Sequence, residues 1–149
     1  MTTSRAAANR EPQQERSRQT RERLLRSAIQ VLAHEGWASA TVAAVAQRAG
    51  VSRGAAQHHF PTREALISST LEQIFDDLTL NADTLVQPDV NDPRRVRMAV
   101  ERAVSIYTGT EFKASLQVWA AAASDPALRE RILPMEARFA RAAHRVTVA

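Results

Sequence analysis

The sequence predicts an all-α fold: a three-helix unit built around a helix-turn-helix, followed by a second helical domain. Three observations predict it. Alanine fills 28 of 149 positions, while aromatic residues make up 5% and glycine supplies only four. That composition favours helix and argues against a sandwich or barrel. Apolar residues recur at i, i+3, i+4 and i+7 in successive segments, the spacing of one helix face. Residues 41–60 read as short helix, glycine, apolar residue, serine, short helix. Cysteine is absent, which excludes disulfides, thiolate zinc sites and cysteine nucleophiles. No apolar run approaches the ~18 residues of a membrane span, and no apolar stretch opens the chain. Neither a membrane partner nor a secretory leader is expected, and a cytoplasmic location is.

Residues 1–16 are polar and without periodicity, and are expected to form a flexible basic arm. A first helix is expected from about Ser17 to Glu35, with Leu25, Ala28, Ile29 and Leu32 on one face. Gly36 ends it, because glycine takes a left-handed conformation without a Cβ clash. Trp37 then plugs the core. Thr41 caps a short helix carrying Val42, Val45, Ala46 and Ala49, and Gly50 ends that helix. Ser52 caps a third helix, about Arg53 to Phe60, closed by Pro61. Small residues at Ala46, Ala49 and Ala56 let two helices cross closely, so residues 17–62 form the first domain.

A fourth helix is expected from Arg63 to Leu80, capped by Thr62, with Ile67, Leu71, Ile74 and Leu78 buried and Leu66 and Phe75 beside them. At ~1.5 Å per residue it spans roughly 27 Å. Residues 81–93, rich in Asp, Asn and Pro, read as a loop. Residues 94–108 carry Val96, Val100, Val104 and Tyr107 on one face. Residues 110–123 carry Phe112, Leu116, Trp119 and Ala123, with Gly109 between the two helices. Asp125 caps a last helix that starts at Pro126 and carries Leu128, Ile132, Met135, Phe139 and Ala142. Pro134 is expected to kink it. Residues 63–149 thus form a second helical domain.

Charge is unevenly distributed. Residues 1–60 hold nine Arg and four Glu, a net +5; residues 61–93 hold one Arg and seven acids, a net −6. Residues 94–149 return to +5, which gives the whole chain +4. Nineteen of the 20 basic residues are Arg. That bias suits phosphate and base contacts, and a GC-rich genome produces it equally well. A basic first segment followed by an acidic one places an anion-binding element near the N-terminus.

The segment from Thr41 to Leu66, TVAAVAQRAGVSRGAAQHHFPTREAL, resembles the DNA-binding domain of TetR-type transcriptional repressors. So does TRERLLRSAIQVLAHEGW at residues 20–37, and the likeness covers about residues 18–75. Residues 115–139 are more weakly similar to the regulatory region of such proteins. The resemblance implies that the first three helices bind a double-stranded DNA operator and that later helices enclose a small hydrophobic effector. It implies a homodimer on a palindromic operator, released when the effector binds. The two long helices that usually form the dimer are not expected in a chain that stops at Ala149, so the second domain is expected to be incomplete.

Carried over residue by residue, the resemblance implies DNA contacts at Thr41, Ser52, Arg53, Gly54, Ala55, Gln57, His58, His59 and Arg63. Thr41 and Ser52 sit at helix starts, where a hydroxyl and backbone N–H groups suit a phosphate, and capping alone is the simpler role. Arg53 suits a bidentate guanine contact, and Gln57 an adenine or a phosphate. Gly54 and Ala55 allow close backbone approach. His59 and Arg63 match phosphate-contacting positions. Two departures, Gln57 where Tyr is frequent and Ala43 where some members carry a base-reading side chain, bear on operator sequence. A pocket is expected from Tyr107, Phe112, Leu116, Trp119, Met135 and Phe139, though each also suits an ordinary core.

An enzyme is not expected. None of the four histidines has i, i+4 spacing, and the adjacent His58 and His59 point about 100° apart on a helix. No metalloprotease, P-loop, dinucleotide or G-x-S-x-G motif is present, and neither metal nor cofactor is expected. The rival reading is a helical protein–protein module that does not bind DNA.

Overall fold

The computed structural model describes residues 3–83 and 92–148, and among these every regular element is helical. Helix α1 spans Thr3–Glu35, and a 3₁₀ turn follows at Trp37–Ser39. Then come α2 (Val42–Ala49), α3 (Arg53–His59), α4 (Arg63–Asp83), α5 (Arg95–Thr108), α6 (Thr110–Ala122) and α7 (Pro126–Val148).

The caps are those the sequence announces. The Thr41 hydroxyl accepts from the Ala44 N–H at 3.1 Å, and the Ser52 hydroxyl from the Ala55 N–H at 3.2 Å. Thr62 and Asp125 accept from Ala65 and Leu128 at 3.1 and 3.0 Å. Each cap satisfies an N–H group that has no partner within its own helix. Gly36 and Gly50 have positive φ, 85° and 61°.

One core runs through both halves of the chain. Leu24, Leu25, Ala28, Ile29, Val31 and Leu32 of α1 are buried against Val45, Ala46 and Ala49 of α2, and against Leu66, Ile67, Leu71 and Ile74 of α4. Ala56 and Phe60 anchor α3 from below. The buried Thr70 hydroxyl donates to the Leu66 carbonyl at 2.7 Å, so no polar group is stranded there. On the far side α6 packs on α1, and α7 packs on α4 through Leu128, Ile132 and Met135.

The structure corrects or refines the expected elements in five places. Residues 3–16, expected as an irregular arm, are helical and continuous with α1. Ala6, Ala7 and Ala8 favour this, as does Arg18, which is paired with Glu15 at 2.7 Å and also with Glu22. Helix α4 runs three residues further, to Asp83, and most of the expected loop lies outside the described residues. Helix α7 runs from Pro126 to Val148 with Pro134 inside it, a single helix over the expected stretch.

The fourth correction concerns α5. Its valine face is open: Val96 is 74% exposed, Val100 56%, Val104 55% and Tyr107 64%, and α5 has no buried residue. Amphipathic spacing specifies a helix, but burial also needs an element facing the apolar side. The fifth concerns α6, which buries Ala114, Ser115, Val118 and Ala122 rather than the Phe112–Leu116–Trp119 face. A face of small side chains lets α6 approach α1 closely, while Phe112 and Trp119 are half-buried and Leu116 is exposed.

The turn at Gly50 gives a test. A residue with a Cβ at φ 61°, ψ 37° pays about 1–2 kcal/mol in the left-handed region. A Cβ there also stands 3.3 Å from Arg23 Nη2. Gly50→Ala is expected to lower unfolding free energy by that amount in urea denaturation. Gly54→Ala, where a Cβ meets nothing within 4 Å, is expected to raise it by up to about 1 kcal/mol.

Candidate nucleic-acid interface

Helices α2 and α3 cross on alanines. Ala46, Ala49 and Ala56 are all buried, and Gly50 donates its N–H to the Ala46 and Gln47 carbonyls, with Val51 N–H bonding Ala46 O at 3.0 Å. Arg23 secures the turn from outside: its Nη2 donates to the Ala49 carbonyl at 2.6 Å and the Gly50 carbonyl at 3.3 Å. Sequence analysis assigns Arg23 no role. Its spacing from Leu24 and Leu25, at the edge of the buried face, is the only local signal.

With Ala56 and Phe60 turned inward, the opposite side of α3 faces solvent. Ser52, Arg53, Gly54, Gln57 and His58 are exposed, as is Thr41; Ala55 and His59 are half-buried. Arg53 and Gln57 stand one turn apart, and neither side chain bonds any described residue. The guanidinium keeps all five donors and the amide both donors and its acceptor, so both are free for base edges or phosphates. Thr41 and Ser52 use an oxygen lone pair in capping, which leaves each hydroxyl proton available.

His59 is held differently. Its ring lies 5.6 Å from His58 and 6.4 Å from Phe60. Partial burial, then the neighbouring His58 and Arg21, push its pKa below the usual histidine value. The shift favours the neutral ring, which offers a hydrogen bond rather than a charge.

Arg63, for which a phosphate contact is expected, is engaged within the protein through two of its nitrogens. Its Nε donates to the Ala40 carbonyl at 2.9 Å, its Nη2 donates to the Trp37 carbonyl, and its guanidinium lies 4.1 Å over the Trp37 ring. It points inward and closes the junction between α1, the 3₁₀ turn and α4. Arg21 also acts locally, donating to Ser69 Oγ at 3.1 Å and lying 5.2 Å over Phe60.

The expected pocket residues are only partly brought together. Tyr107, Phe112 and Trp119 form a chain of edge-to-face contacts at 5.0 and 6.0 Å between ring centres. Trp119 Nε1 is buried and makes no hydrogen bond. Leu116 is 50% exposed, and Met135 lies in the core on α7. Phe139 falls outside the described side chains. Among the described residues no three His, Asp or Glu side chains cluster as metal ligands. No described helix is long and apolar enough to cross a membrane.

Residues 24–70, which span this geometry, match the bacterial regulatory proteins of the tetR family. The match supports a regulator of that family. It is 34% identical over 123 residues to the HTH-type transcriptional regulator CymR of Pseudomonas putida, covering 83% of this chain and 61% of CymR. A transcriptional regulator from Rhodococcus sp. Rha1 is similar in structure, with a TM-score of 0.58 at 32% identity, over 74% of this chain and 59% of that one. The multidrug binding protein EbrR, solved with ethidium, gives a TM-score of 0.57 at 26% identity, over 75% of this chain and 66% of EbrR. The chain thus spans about three fifths of the length of the curated relatives it matches. These relatives are regulators, not enzymes.

Two measurements test the assignments. Arg63→Ala is expected to lower unfolding free energy by about 1–3 kcal/mol, from two carbonyl hydrogen bonds and a cation–π contact. Arg63→Lys is expected to recover little, since an ammonium lacks the planar fork. A side chain that served DNA alone would leave urea denaturation unchanged. For His59, proton NMR is expected to show titration below 6.5. Because the folded value is depressed, the neutral ring's contribution holds above the unfolded value and is lost as pH falls through the folded one. His59→Gln is expected to flatten that acid-side loss of stability.

Proposed function

We propose that this tetR-family chain is a sequence-specific DNA-binding transcriptional repressor that acts in the cytoplasm and inserts α3 into the major groove of an operator. The observation that carries this is the outer side of α3. Arg53 and Gln57 are exposed, unpartnered and one turn apart, on a helix fixed from behind by Ala56 and Phe60. Ser52 and Thr41 present hydroxyls and helix starts to flanking phosphates, and Gly54 allows close approach. His58 and His59 supply hydrogen bonds at the far end. Two copies read the two halves of a palindromic operator, because a two-fold protein pairs naturally with a two-fold site. Occupancy blocks transcription, with no chemistry on the DNA.

A small hydrophobic effector releases the complex. Support comes from the linked rings of Tyr107, Phe112 and Trp119 and from the ethidium bound by the similar EbrR. A flat aromatic molecule stacks well on such rings.

Selection from random duplexes by the purified chain is expected to enrich a palindromic sequence. Binding to it should weaken steeply with salt. Arg53→Ala is expected to weaken binding by roughly 1–3 kcal/mol, about five- to 150-fold, and to relax the preference at one base position per half-site. Gel shift and circular dichroism together check this. An intact helical protein that enriches no sequence and shifts no duplex would instead support the interaction-module reading.

A further inference from the structure

We propose that Arg23 is a positioning residue for DNA recognition: from α1 it sets the angle at which α3 leaves the turn, and so aims Arg53 and Gln57 at the groove without touching the duplex. The proposal rests on the DNA-binding reading above and adds to it a residue outside the reading helix.

The first observation is where the guanidinium ends. Arg23 Nη2 donates to two consecutive carbonyls, that of Ala49 at 2.6 Å and that of Gly50 at 3.3 Å. These belong to the last residue of α2 and to its left-handed cap. Only Val51 and Ser52 separate that cap from Arg53, the first residue of α3. Nη2 carries two hydrogens, so one nitrogen can serve both acceptors. A group bonded to two successive peptide planes at a bend restrains the direction in which the chain leaves it.

The second is what stands behind the side chain. Leu24 and Leu25, next to Arg23, are buried in the core, so the backbone from which the guanidinium springs is fixed. The inner side of α3 is held by Ala56, near its middle, and by Phe60, just past its end. Its start rests on the half-buried Val51, which packs against the core. That start carries Arg53. There Arg23 adds a restraint from residues 26 and 27 positions away in sequence, which ties the turn to α1.

The third is leverage. The seven residues of α3 extend about 10 Å at ~1.5 Å per residue. A tilt of about 10° at the turn therefore moves the far end by about 2 Å, several times the ~0.5 Å range of good hydrogen-bond lengths. Gly50 also makes room for the brace: a Cβ there stands 3.3 Å from Arg23 Nη2. With Nη2 occupied at the turn, Arg23 is engaged within the protein, whereas Arg53 bonds no described residue.

The test uses the full chain with Arg23→Ala, Arg53→Ala, the two together, and Arg23→Lys, each checked for folding by circular dichroism. Three readouts are taken: amide resonances of the free protein, affinity for the selected duplex, and the slope of log K against log salt. Arg23→Ala is expected to move the amide resonances of residues 50–55, to weaken binding roughly tenfold and to leave the slope unchanged. The double variant is expected to lose clearly less than the product of the two single losses, because a misaimed Arg53 and a missing one forfeit the same contact. Arg23→Lys keeps the charge without the planar fork and is expected to bind between the unmodified chain and Arg23→Ala. It carries the same readouts if Arg23→Ala does not fold. A slope shallower by about 0.9 overturns the proposal, since it marks a lost phosphate contact. So does unchanged affinity in folded Arg23→Ala, a double variant whose losses multiply, or Arg23→Lys binding as the unmodified chain does, since bare charge then suffices. An unmodified chain that binds no duplex overturns the groove reading and the recognition role together, and the spectra of the free protein tell this from a failure of the brace alone.

Discussion

The structure depends on one close crossing. Helices α2 and α3 meet on Ala46, Ala49 and Ala56, and no larger side chain fits where these methyl groups are fully or almost fully buried. The chain reaches that crossing because Gly50 takes φ 61° and returns its N–H to α2. Everything useful about α3 follows from the geometry. A seven-residue helix is too short to be stable alone, so its outer side is ordered only because its inner side is anchored. Ala56 and Phe60 do the anchoring, and Ser52 caps the start. Arg53 and Gln57 are then presented to solvent without help from any partner of their own.

Arginines in this part of the chain divide by what surrounds them. Arg23 and Arg63 donate to backbone carbonyls at the ends of short helical elements, at Ala49–Gly50 and at Trp37 and Ala40. Guanidinium suits this because one planar group serves two acceptors and stacks on a ring as well. Arg18 and Arg48 are paired with glutamates on exposed surface, which contributes little to stability. Arg53 and Arg16 have no such neighbours. Net charge alone treats all six alike, and only local geometry separates fastener from free probe.

Much of the first domain was legible because its signals are local. Caps at Thr41, Ser52, Thr62 and Asp125, stops at Gly36 and Gly50, and the buried stripe of α4 each depend on residues a few positions apart. The inward turn of Arg63 was not legible, since its acceptors lie 23 and 26 residues away. The helical start of α1 was missed because its residues show no amphipathic period, and an unpacked helix needs none. In the second domain periodicity identified α5 and α6 and left open which side of each is buried. Val96, Val100 and Val104 share a face, but spacing does not say whether anything covers it. On α6 the small residues won the contact with α1, a choice made by helix-to-helix distance rather than by hydrophobicity.

The two domains are joined by contact as well as by chain. Trp37 stands at the join: its ring lies under Arg63 of α4, its carbonyl accepts from the same guanidinium, and its N–H reaches Gln117 of α6. Gln117 shares its helix with Phe112 and Trp119, the rings that continue to Tyr107. A contiguous route thus leads from the aromatic chain through α6 to Trp37, and from Trp37 to the start of α4 and the end of α1. From there Arg21 and Arg23 reach both ends of α3. A route of contacts becomes a switch only if some member has two stable arrangements. Trp37 is the natural member, because it is half-buried and bonded on both sides: a shift of α6 that breaks its bond to Gln117 leaves it held by Arg63, by the Ala40 N–H and by its packing on the core.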